Sequence, residues 1–62
     1  MRFTSEYLSD DELKSAKVYW ADTDKPEKRY IVIVKDDTGT HYQATFASLQ
    51  QAENYAEDWT QK

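Results

Sequence analysis

The 62-residue chain contains no cysteine, one glycine (Gly39), one proline (Pro26) and one histidine (His41). Without cysteine there are neither disulfide staples nor thiolate zinc sites. A lone glycine cannot build a phosphate-cradling loop, which needs several backbone amides converging through a glycine-rich turn. A lone histidine has no partner at a ligand or triad spacing, so metal binding and acid–base catalysis lack their parts. There is also no Gly-x-Ser-x-Gly elbow to present a serine nucleophile. No apolar run approaches the roughly 18 residues that read as a membrane span. Met1-Arg2-Phe3-Thr4-Ser5-Glu6 lacks the apolar stretch of a signal peptide. A soluble cytoplasmic protein with no membrane partner is expected, which the missing cysteine also suits.

Positive charge is scarce as well. Eight basic against twelve acidic residues leave a net charge of −4. Residues 1–27 hold four basic and seven acidic side chains, and residues 28–62 hold four and five. Binders of duplex nucleic acid show the opposite balance, because neutralising phosphates supplies much of their affinity. An acidic surface instead attracts a basic surface on another protein, or simply keeps a small domain soluble.

What is present is large rings. Trp20, Trp59, Phe3, Phe46 and five tyrosines give an aromatic content of 15%. Each ring can bury roughly 150–250 Å², so a short chain can build a core from few of them. One domain is expected, and its stability should be small because a chain this short buries only about 60% of its unfolded surface. Little room remains beside such a core for a ligand pocket of about 300 Å³.

Along the chain, residues 1–8 alternate weakly and are left open between an edge strand and an ordered arm. Leu8-Ser9-Asp10-Asp11-Glu12-Leu13 reads as a helix start. Ser9 fits an N-cap accepting from the Glu12 amide, Glu12 completes a capping box, and Leu8 and Leu13 form a hydrophobic staple. Asp10 and Asp11 would complement the helix dipole. A short helix over 10–17, followed by a strand over 18–21, is predicted. The polar stretch Asp22 to Glu27 is a turn. Lys28 to Asp36 is the strongest strand, with five consecutive β-branched or aromatic residues from Tyr30 to Val34.

Asp37-Thr38-Gly39 suits a three-residue hairpin loop with Gly39 at the left-handed position. This register pairs Val34 with Tyr42, Val32 with Ala44 and Tyr30 with Phe46, and it makes 40–47 a strand. One face then carries Tyr30, Val32, Val34, Tyr42, Ala44 and Phe46. The other is mixed and includes Ile31 and Ile33, which need cover from the N-terminal helix or from a second protein. Ser48 caps a helix over 48–60 whose apolar stripe is Leu49, Ala52, Tyr55, Ala56 and Trp59. Gln50, Glu53, Asn54, Glu57, Asp58 and Gln61 face away from it. The expected fold is α+β: about three antiparallel strands, the C-terminal helix on one face and a short helix over 10–17.

The carboxylates of Asp22 and Asp24 do not continue into a calcium loop, because Lys25-Pro26 interrupts the alternating ligands. No metal and no cofactor are expected, and no catalytic residue. The helix–strands–helix order is similar in outline to a double-stranded RNA-binding domain. That family starts its last helix with a lysine cluster, whereas this chain has Ser48-Leu49-Gln50-Gln51. The expected function is a non-enzymatic protein-binding module, an inhibitor or regulator. By analogy of size and charge alone, it is like accessory proteins of phages and mobile elements. Asp10, Asp11, Glu53, Glu57 and Asp58 are the expected binding residues, meeting a basic surface; an open sheet edge is the other route. Two alternatives accompany this reading. One is single-stranded nucleic acid stacking on Tyr19, Tyr30 and Tyr42, with Lys28, Arg29, Lys35 and His41 nearby. The other is a homodimer formed through the mixed face or an edge strand.

Overall fold

A computed structural model describes residues 2–61. The fold is α+β: a four-stranded antiparallel meander in the order β1-β2-β3-β4, with one C-terminal helix across one face. The strands are β1 (Arg2–Leu8), β2 (Ser15–Trp20), β3 (Tyr30–Lys35) and β4 (His41–Phe46), and the helix α1 spans Leu49–Gln61. A single 3₁₀ turn, Pro26–Lys28, precedes β3 and uses Pro26 where no amide donor is required.

The hairpin joining β3 to β4 follows its sequence signals. The Gly39 amide donates to the Asp36 carbonyl (3.1 Å) and the Asp36 amide donates to the Thr40 carbonyl (3.0 Å). Gly39 lies at φ +89°, in the left-handed region the loop demands. The Asp36 carboxylate accepts from the amides of Thr38 and Thr40 and from the Thr38 hydroxyl. Val34–Tyr42, Val32–Ala44 and Tyr30–Phe46 pair as the register requires. Ser48 caps α1, its hydroxyl accepting from the Gln51 amide at 3.2 Å.

The N-terminal third differs from expectation. No helix forms over 10–17; residues 9–14 form a hairpin turn, β2 starts at Ser15 rather than at 18, and residues 2–8 are a full strand. The polar groups of the expected capping box are used in the turn instead. The Glu12 amide donates to the Ser9 carbonyl, the Lys14 amide to the Ser9 hydroxyl, and the Leu13 amide to the Asp11 carboxylate. Glu12 itself takes φ 60°. Leu8 and Leu13 do not form a staple, and both remain more than half exposed. The physical reason is competition. A two-turn helix must meet its nucleation cost from few internal hydrogen bonds. As a central strand, the same residues pair on both sides and bury Ala16 and Val18 completely.

The core lies between the sheet and α1. Ala16, Val18, Val32, Val34, Ala52 and Ala56 are fully buried, and Tyr7, Tyr30, Phe46, Tyr55 and Trp59 pack around them. Thus small residues fill the centre and the rings form its rim. Ala52 and Ala56 let the helix backbone settle close over β2 and β3. On the β4 side, Tyr55 meets Phe46 and Trp59 meets Tyr42, with ring centroids 5.3 and 5.7 Å apart. Tyr42 departs from its expected place beneath the helix: it is 48% exposed and covers the flank of Trp59.

Candidate protein-binding surfaces

Two surfaces emerge, one on each side of the sheet. The first is a groove where the β1–β2 turn meets the second half of α1. Its walls include Tyr7, Asp10, Asp11, Lys14, Glu57 and Thr60, and it encloses ≈ 630 Å³ open to solvent. A pocket of this volume was not expected beside so small a core. It is lined by the end of β1 and the turn that follows on one side and by the last turns of α1 on the other. Asp10 and Asp11, expected on a helix, therefore come to lie across the groove from Glu57.

The chemistry of the groove is acidic. Ser9 hydroxyl and Leu13 amide hydrogen bonds hold the Asp11 carboxyl below its ordinary range, so it stays charged. Glu53, one helical turn before Glu57, accepts from the Ser5 hydroxyl at 3.0 Å and so is anchored to β1. Expected to point away from the sheet, Glu53 is instead half-buried beside it. The Tyr7 phenol is pushed up by its burial and then by the charges of Glu53 and Glu57. Of the five expected binding residues, Asp10, Asp11 and Glu57 line the groove with Tyr7, and Glu53 acts on Tyr7 from the preceding helical turn. Asp58 is exposed on α1 but is not part of the groove lining. The Lys14 ammonium, on the groove wall, lies 5.9 Å from the centre of the Trp59 ring. Thr60, though buried, is satisfied by the carbonyls of Ala56 and Glu57.

The second surface is the sheet face opposite α1, which no helix or strand among the described residues covers. Register gives its rows across the strands: Phe3, Tyr19, Ile31, Thr45; then Glu6, Lys17, Ile33, Gln43; then Leu8, Ser15, Lys35, His41. Phe3 meets Tyr19 edge to face at 5.7 Å, and Lys17 lies 4.0 Å from Glu6. The N-terminal helix expected to cover Ile31 and Ile33 is absent, and Ala16, within its expected span of 10–17, lies on the α1 face. A β-bulge between Phe3 and Ser5 makes this face possible. It changes the alternation of β1, so Phe3 points to the bare side while Ser5 and Tyr7 point to α1. The Thr4 hydroxyl secures the bulge by donating to the Val18 carbonyl at 2.9 Å. The weak alternation of residues 1–8 gave no sign of it.

The three sheet tyrosines do not share a surface. Tyr19 lies on the bare face, whereas Tyr30 and Tyr42 lie on the α1 side. His41 is exposed on the bare face. Among the described residues no group of three or more His, Cys, Asp or Glu is placed to hold a metal ion, and no helix is long and apolar enough to cross a membrane. No protein-family model, no curated protein and no solved structure matches this chain.

Proposed function

We propose that the chain is a non-enzymatic protein-binding module whose acidic groove receives a basic segment of another protein. One observation carries this reading: Asp10 and Asp11 lie far from Glu57 in sequence, yet all three line one groove. Converging carboxylates around an open cleft raise the local concentration of a basic partner and steer its approach. The hydrogen bond from the Ser9 hydroxyl to Asp11 fixes one of these charges, which reduces the ordering cost of binding.

The test is an NMR titration with a lysine- and arginine-rich peptide. Amide shifts should centre on Asp10, Asp11 and Glu57, and affinity should weaken at least about tenfold between 50 and 500 mM salt. Asp10→Lys combined with Glu57→Lys should remove binding while the dispersed spectrum persists. Shifts scattered over the surface, or binding indifferent to salt, reject the groove as the site.

A second contact on the bare face is favoured by Phe3 and Leu8, which are 52% and 54% exposed beside Tyr19, Ile31 and Ile33. Phe3, Tyr19 and Ile31 make an apolar row at one end of this face, bordered by Glu6 and Lys17, a mixture of apolar and charged side chains that suits a protein interface. The separation of the tyrosines argues against a base-stacking platform. Titrating a mixed single-stranded oligonucleotide at low salt checks this, and tight binding there reverses the preference.

A further inference from the structure

The two edges of the sheet differ in a way that concerns association. β1 is guarded: it carries a bulge, the charged residues Arg2 and Glu6, and the carboxylate of Glu53 beside it. Bulges and charges are the devices that stop an edge from adding strands. β4 carries neither in its own sequence, and besides β3 and α1 its neighbour is the 3₁₀ turn Pro26–Lys28. His41-Tyr42-Gln43-Ala44-Thr45-Phe46 pairs with β3 without interruption and has no carboxylate, ammonium, guanidinium or proline.

Its free hydrogen-bonding groups can be assigned from the hairpin. The Asp36 amide bonds to the Thr40 carbonyl, and antiparallel pairs alternate between bonded and non-bonded. Tyr42, Ala44 and Phe46 therefore bond inward to β3. The N–H and C=O groups of His41, Gln43 and Thr45 point outward, and all three residues are exposed.

We infer that β4 pairs antiparallel with β4 of a second copy of this chain, about a two-fold axis at Gln43, giving a continuous eight-stranded sheet. The sequence of β4 is self-complementary in this register. Gln43 meets Gln43 of the second copy, His41 meets Thr45, and roughly six interchain backbone bonds form. On the α1 side each exposed Tyr42 ring falls opposite the small side chain of Ala44 in the other copy, so large meets small twice. No like charges are brought together along the strand. Beyond it, Asp37 at the hairpin tip falls near Leu49 of the second copy, where α1 begins. The first turn of α1 has no acidic residue of its own, so its dipole is open to an incoming carboxylate. The inference does not depend on the acidic groove, which lies on the opposite edge. It would place two such grooves at the far ends of the dimer.

Sedimentation velocity over micromolar to millimolar protein tests the pairing. Species of twice the 7.3-kDa protomer should grow with concentration, and amide exchange at His41, Gln43 and Thr45 should slow in parallel. Gln43→Pro removes only an outward N–H, so the β3–β4 ladder and the circular dichroism spectrum should survive. Dimerisation should weaken by about 100-fold or more. Gln43→Lys, which places two cations at the axis, should do the same and covers the case in which the proline variant fails to fold. A monomer at millimolar concentration overturns the inference, as does a dimer that persists in both variants or leaves the three amides unprotected.

Discussion

Trp59 touches β3, β4 and the β1–β2 turn from α1, so its truncation tests the account of the core. Its ring packs on the buried cluster and against Tyr42 at 5.7 Å, its indole N–H donates to the Lys35 carbonyl at 3.3 Å, and Lys14 stands over its face. If the indole removes ~150 Å² from water, the gain at ~25 cal/mol per Å² is ~4 kcal/mol. A compact denatured ensemble already hides part of that area and lowers the figure to ~3 kcal/mol. The ring contact and the long hydrogen bond together return about 1 kcal/mol. Trp59→Ala should therefore cost about 4 kcal/mol, against the ~3–5 kcal/mol that a core of this size can supply. The variant should thus sit near its unfolding midpoint at 25 °C, with a large share of molecules unfolded. Trp59→Phe keeps a ring opposite Tyr42 and loses the donor to Lys35, so it should cost about 1–2 kcal/mol. Urea unfolding followed by far-ultraviolet circular dichroism measures both, with Trp20 fluorescence as an independent probe. Midpoints for Trp59→Ala and wild type that agree within error would refute the placement of the indole over the core.

Three further predictions follow from the turn chemistry and the small central residues. A side chain at Gly39 would meet nothing within 4 Å, so the cost of Gly39→Ala is the left-handed backbone alone, about 1–2 kcal/mol. Gly39→Asn should recover part of it, and equal melting temperatures for the alanine variant and wild type would contradict the loop geometry. The Thr38 hydroxyl, with the amides of Thr40 and Thr38 and the Tyr42 hydroxyl, holds the Asp36 carboxyl below its ordinary 3.8. A lowered folded-state value means the contribution is present above pH 3.8 and is lost as pH falls below it. Thermal melts of wild type should thus decline over that acid window, and the decline should be smaller in Asp36→Asn; parallel curves would remove Asp36 from the acid limb. Ala56→Leu should destabilise by ~1–3 kcal/mol because the helix has no room to move off the sheet. A rise in the melting temperature would mean that the seam between α1 and the sheet is loosely packed.

Local chemistry was legible wherever one segment settles its own conformation. Asp36 to Thr40 closes on itself through backbone and carboxylate bonds, so turn, register and core face could be read from residue types alone. Ser48 and the Leu49–Trp59 stripe fixed the closing helix for the same reason. Ser9 to Leu13 misled because serine and aspartate satisfy the amides of a turn with the same atoms that cap a helix. Which of the two forms depends on whether Ser15 to Trp20 finds strands on both sides, and that is a non-local matter. Residues 2–8 were equally undecidable alone, since their alternation is broken by a bulge that the sheet imposes.

The acidic groove and the bare face share that origin. The chain by itself determined the charge excess, the hairpin, the capped helix and the absence of the parts needed for thiol, zinc or phosphate-loop chemistry. Only the tertiary structure decided that Asp10, Asp11 and Glu57 would line one groove with Tyr7, that the tyrosines would be divided between two faces, and that β4 would be left as the edge with neither bulge nor charge. Carboxylates distant in sequence become neighbours only once β1 has paired with β2 and α1 has crossed the sheet, and no local propensity encodes that meeting.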